Sequence, residues 1–112
     1  MPVLDATTAR IRALNDALRC ENKQGTILLT SGVAALPPVQ RVEILAALAR
    51  FDSFDAGDDP YGEHDFGAFT VGGDRLLFKI DAYDLSGTVH SPDPAEPAVT
   101  RRVLTLMLAA EY

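Results

Sequence analysis

The chain has 112 residues, 47% of them hydrophobic and 23% charged, with ten Lys and Arg against sixteen Asp and Glu for a formal net charge of −6. That length suits one domain, the composition excludes intrinsic disorder, and the surplus of acid argues against general attraction to nucleic acid or anionic lipid. The lone cysteine, Cys20, has no partner for an intramolecular disulfide, the N-terminus lacks a basic segment followed by an apolar one, and no apolar run nears the ~18 residues of a membrane span, so the expectation is one untargeted cytoplasmic domain over residues 1–112.

From Asp5 to about Asn22, Ile11, Leu14 and Leu18 recur at spacings of three and four with Ala17 beside them, the stripe of an amphipathic helix. Thr7 or Thr8 suits its N-cap, and the polar stretch from Glu21 to Gln24 ahead of Gly25 suits its end. Thr26 to Thr30 is short, apolar and partly β-branched, which reads as a strand broken by Gly32. Pro37-Pro38 opens a second helix to Arg50, since proline costs nothing at a first helical position whose N–H has no partner. Its apolar residues occupy two sides, with Val42, Leu45, Ala46 and Ala49 on one and Ile44, Leu48 and Phe51 on the other. This favours a helix sandwiched inside the domain over one whose second face meets another molecule.

Residues 52–65 are dense in acids and turn formers and read as a loop. Phe66 to Val71 and Arg75 to Tyr83 form the strands of a hairpin around Gly72-Gly73-Asp74, and in the second strand Leu76, Phe78, Ile80 and Ala82 alternate with Leu77, Lys79, Asp81 and Tyr83. After a second loop from Asp84 to about Pro94, Pro97 opens a predicted third helix to Ala110, with Val99, Val103, Leu106, Met107 and Ala110 on its apolar arc and Arg101 and Arg102 on the remainder. The predicted order is α-β-α-β-β-α without internal repeats. It implies an α+β domain in which helices cover a three-stranded sheet containing the hairpin.

Several strings are familiar as a set: Asp59-Pro60-Tyr61-Gly62-Glu63-His64-Asp65-Phe66-Gly67-Ala68-Phe69, Lys79-Ile80-Asp81-Ala82-Tyr83-Asp84, Ser91-Pro92-Asp93-Pro94 and Thr100-Arg101-Arg102-Val103-Leu104-Thr105, with Arg10-Ile11-Arg12-Ala13-Leu14-Asn15-Asp16 near the start. They are similar to a domain-of-unknown-function family of short bacterial proteins, and the likeness spans nearly the whole chain. The resemblance implies a setting on plasmids and other mobile elements, and with it a role in plasmid maintenance or in countering host defence. It carries no activity and transfers no residue role.

The acidic loop offers Asp55, Asp58, Asp59, Glu63 and Asp65 as oxygen ligands and His64 as a nitrogen ligand. Their order is not that of an EF-hand loop, which sets acids at alternate positions around a central glycine, so a solvated acidic loop is the simpler reading and a calcium or magnesium site its alternative. As a binding surface, Asp55, Asp58, Asp59, Tyr61, Glu63 and His64 would meet a basic protein.

A narrower arrangement follows from the hairpin. If Val71 pairs with Arg75, Asp65 faces Asp81 with Lys79 nearby, and the two carboxylates could hold magnesium for phosphodiester cleavage while Lys79 stabilises negative charge. A two-residue turn would separate that pair, and an ordinary cross-strand ion pair is the competing explanation. Ser31 lacks the surroundings of a nucleophile turn, and His64, His90 and Cys20 lack zinc spacing. The basic residues are scattered apart from Arg101-Arg102, which argues against direct nucleic-acid binding.

These readings converge on a non-enzymatic acidic module for a protein partner, an inhibitor or regulator without a cofactor. The alternatives are a small metal-dependent hydrolase or nuclease using Asp65, Asp81 and Lys79, and a structural subunit that self-associates through the second or third predicted helix.

Overall fold

The structure, a computed structural model, describes residues 4–112. Helix α1 (Ala6–Glu21) starts where the Asp5 carboxylate accepts the Thr8 backbone N–H at 2.7 Å, so the cap is Asp5 and Thr8 is the capped residue. It ends where Asn22 takes a left-handed conformation, φ 55°, and returns its N–H to Leu18. Strand β1 (Thr26–Leu29) follows, then a single helical turn α2 (Ser31–Ala34) that the sequence reading missed, and helix α3 (Pro38–Arg50), which begins on proline as expected.

Strands β2 (Phe66–Val71) and β3 (Asp74–Tyr83) form the expected hairpin, but its turn has two residues and pairs Val71 with Asp74. Gly72 and Gly73 both have positive φ, 58° and 85°, as a tight turn matched to the right-handed strand twist requires.

The predicted third helix is instead strand β4 (Arg101–Leu108), preceded by a 3-10 turn over Pro97–Val99 and followed by another over Ala109–Glu111. The sheet therefore has four strands in the order β1-β4-β3-β2, with β1 parallel to β4 and the other pairs antiparallel. This corrects the three-stranded expectation while leaving the α+β class in place. An interior strand bears apolar residues on both faces, and such a run mimics the wide apolar arc of a helix.

α1 and α3 lie on the sheet face formed by Leu76, Phe78, Ile80, Leu104 and Leu106, where Leu18, Ile44 and Leu48 complete the core. Gly67 makes room there for the Phe51 and Phe78 rings. The apolar face of α3 that packs inward is Ile44 and Leu48; Val42 and Leu45 on the other side are 68% and 40% exposed, so this helix is not sandwiched. Among the described residues no helix is long and apolar enough to cross a membrane.

Candidate functional site

The helical repeat sets Ile11 and Asn15 one above the other on the buried face of α1. The strand repeat of β4 sets Arg102 on the same side of the sheet as Leu104 and Leu106. The two elements meet at a buried polar bond: Arg102, 1% exposed, donates its Nε–H to Asn15 Oδ1 at 2.7 Å. Arg102 also donates through Nη2 to the carbonyl of Pro94. Its Nη1 is buried and has no acceptor among the described residues. Asn15 in turn donates through Nδ2 to the Glu63 carbonyl at 2.9 Å, which fixes the end of the acidic loop against α1.

The segment carrying Pro94 is itself tied down. The Ser91 N–H donates to Ala82 at 2.9 Å, and the Ser91 and Thr100 hydroxyls lie 2.8 Å apart in the interior.

These contacts border a cavity of about 180 Å³ whose polar lining includes Asn15, Glu63, Asp65, His90 and Arg102, over an apolar floor that includes Ile11 and Ile80. Burial raises the Glu63 carboxyl above its ordinary range, and the negative charges of Asp65 and Asp59 add to that effect against the opposing pull of His90 and Arg102. Asp65 is raised as well, chiefly by burial, then by Asp59 and Asp81, with its own backbone N–H working the other way. Burial lowers Arg102, countered in part by Glu63.

No described residue donates a side-chain hydrogen bond to the carboxylate of Glu63 or of Asp65. The cavity thus holds one buried guanidinium nitrogen without an acceptor beside two partly exposed carboxylates that receive no side-chain donor. Arg19 has a second unpaired buried nitrogen, Nε, but its guanidinium lies 5.0 Å from the Phe54 ring centroid and bonds Asp16 at 2.8 Å, away from this cavity.

The structure disperses the acidic loop predicted as one surface. Asp55 and Asp58 are exposed, and Asp55 Oδ1 accepts the Asp58 N–H at 2.8 Å to close a local turn. Asp59 is buried and accepts the His64 N–H at 3.1 Å, while Tyr61 is 78% exposed. His64 stacks on Phe54 with ring centroids 3.8 Å apart, and its Nδ1 lies 2.8 Å from Asp16 Oδ1. Glu63 and Asp65 turn into the cavity, away from the exposed end of the loop.

The register that would have paired Asp65 with Asp81 is replaced by one in which Phe66 pairs with Lys79 and the Ile80 N–H donates to Asp65 at 2.8 Å. The shift comes from the two-residue turn. By strand alternation it sends Asp65 toward the helix-covered face, while Asp81 stays with Lys79 on the other, 3.3 Å apart. Among the described residues no group of three or more His, Cys, Asp or Glu is placed to hold a metal ion.

Sequence reasoning missed Asn15, His90 and Arg102 as members of a site. Asn15 stood unremarked within the helix 1 pattern, and Arg102 was assigned to the polar side of a helix that does not form. Alternation read as a strand would have placed Arg102 inward with Leu104 and Leu106.

A family model described as a protein of unknown function, DUF3768, matches residues 29–111, and the chain belongs to that family. Comparison with curated proteins and with solved structures gives no match.

Proposed function

We propose that this member of the DUF3768 family is a non-enzymatic binding module that receives a basic group of a protein partner in the polar cavity between α1 and the sheet. The observation that carries the reading is the pair Glu63 and Asp65, two carboxylates that line one cavity with no side-chain donor from the described chain, each raised by burial and by neighbouring acids. A cation entering there would relieve both at once, and the formal charge of −6 would steer a basic partner toward it. Asp59 and His64 would hold the shape of the loop that carries Glu63, while Asp55, Asp58 and Tyr61 lie at its exposed far end, away from the cavity.

Within this reading the partner is a cytoplasmic protein. A plasmid or other mobile-element setting would make the module an inhibitor or regulator directed at host defence. The test is calorimetric titration with the peptide amide Ala-Gly-Lys-Gly, which carries a free N-terminus and a lysine. Binding that weakens with added salt and is lost in the Glu63→Gln, Asp65→Asn double variant is expected, and equal binding by that variant would overturn the proposal.

A second reading, homodimerisation through α3, is favoured by the exposed Val39 and Val42 on its outer face. The version that used a third helix has no basis, because that segment is the interior strand β4. Sedimentation that returns a monomer would remove the α3 version.

A further inference from the structure

We infer that the group held by the cavity is the α-amino end of a polypeptide, an ammonium with its own carbonyl beside it, bound between the Glu63 and Asp65 carboxylates and Nη1 of Arg102. The inference rests on the proposed function and narrows it. The cavity makes two demands of opposite kind. Glu63 and Asp65 receive no side-chain donor, and Arg102 Nη1, in a side chain 1% exposed, lacks an acceptor.

A lysine or arginine side chain brings donors alone and would leave Nη1 unanswered. A carboxylate or phosphate would answer Nη1 but meet the repulsion of Glu63 and Asp65. A chain terminus satisfies both, because its ammonium donates up to three hydrogen bonds and the carbonyl of the same residue accepts one, two bonds away along the backbone. The space is consistent with this. About 180 Å³ is room for one small first residue with its ammonium and carbonyl. Ile11 and Ile80 on the floor would meet its Cβ.

The unpaired nitrogen is firmly positioned. Nε of Arg102 is held by Asn15 and Nη2 by Pro94, so the guanidinium is fixed beside the cavity before any ligand arrives, and little ordering cost falls on binding.

The experiment uses the intact chain and calorimetry or chemical-shift titration with four defined probes: alanine amide, n-butylamine, the peptide amide Ala-Gly-Lys-Gly and its N-acetylated form. Alanine amide should bind at least about tenfold more tightly than n-butylamine, which has the ammonium without the acceptor, and N-acetylation should weaken the peptide by about tenfold or more. Equal affinities for alanine amide and n-butylamine would remove the role of Arg102. An acetylated peptide that binds as well as the free one would overturn the inference while leaving the basic-group reading intact, since the lysine remains. Failure of all four probes would overturn both. Among variants, Glu63→Gln and Asp65→Asn leave the Asn15–Arg102 bond in place, and each should weaken alanine amide binding several-fold without loss of the folded signal.

Discussion

Asn15 on α1 and Arg102 on β4 are 87 positions apart in the chain and share a 2.7 Å hydrogen bond in the interior, the guanidinium Nε–H donating to the amide oxygen. Hydrogen bonds to buried charges are worth more than neutral ones, and removal of one partner leaves the charge uncompensated. Asn15→Ala should therefore cost about 2–4 kcal/mol, read as a lower urea midpoint at unchanged m-value. Asn15→Asp, which restores an acceptor for Arg102 but not the donor to Glu63, should cost less. A neutral Asn15→Ala would mean that Arg102 finds another partner and that the cavity wall is not fixed as described.

Gly67 gives a second prediction, independent of the cavity. A Cβ at this position would sit 2.5 Å from Phe78 Cε1 and 2.6 Å from Phe51 Cε1, in a ring cluster where Phe51 and Phe78 meet edge to face at 5.3 Å. Neither ring can retreat without disturbing the core beneath α3. Gly67→Ala should destabilise by about 1–3 kcal/mol, measured by denaturant unfolding, and wild-type stability would show that the two rings have free space behind them.

The outcome at the two ends of the chain explains how far its sequence could be read. α1, α3 and the hairpin were legible because their signals are local: Ile11, Leu14 and Leu18 at helical spacing, Pro38 at a helix start, and Gly72-Gly73 at a tight turn. β4 was not legible, because its identity depends on neighbours on both sides. Leu104 and Leu106 face the helices while Met107 is buried on the opposite face, and that two-sided burial erases the alternation that marks a half-exposed strand. The cavity was lost with it. Glu63 and Asp65 were singled out as acids, but their meeting with Arg102 requires β4 to be a strand beside β3.

Hydrogen exchange tests that interior position directly. The amides of Leu104 and Leu106 in β4 and of Phe78 in β3 lie between paired strands and under the core, so they should exchange only through global unfolding. Residues 85–89, an exposed turn beyond β3, should exchange orders of magnitude faster. Fast exchange in β4 would contradict the four-stranded sheet.

The outer face of α3 yields a fourth prediction. Val39 and Val42 are 73% and 68% exposed and contribute little to the core, so Val39→Lys and Val42→Lys should change stability by no more than about 0.5 kcal/mol. If the wild-type chain sediments as a dimer that these changes split, the α3 face is the contact. A monomer in both cases leaves those valines as scattered surface apolar residues.

The pH dependence of stability separates the cavity acids from the capping acids by sign. Glu63 and Asp65 have folded-state pKa values raised above the unfolded ones, so at neutral pH both states are ionised and the folded state carries the full penalty of their burial and repulsion. As pH falls through the raised folded values, the folded state takes up protons first and the penalty disappears. Below the ordinary carboxylate range nothing of it remains. Asp5, Asp84 and Glu111 behave oppositely. Hydrogen bonds lower their pKa values, from the Thr8 backbone N–H for Asp5, from the Ser86 hydroxyl for Asp84 and from the Thr30 hydroxyl for Glu111. Their contribution is present above the unfolded pKa and is lost as pH falls through the folded one. Glu63→Gln and Asp65→Asn should therefore raise the unfolding midpoint at pH 7, modestly because solvent screens both groups, with the gain vanishing as pH falls below the ordinary carboxylate range. Glu111→Gln should lower the midpoint at pH 7 and converge on wild type in acid. Removal of a charge that improves stability while abolishing amine binding is the signature of a residue kept for a ligand. Cavity variants that lose stability at pH 7 would instead assign Glu63 and Asp65 to the fold, as counter-charges that Arg102 requires.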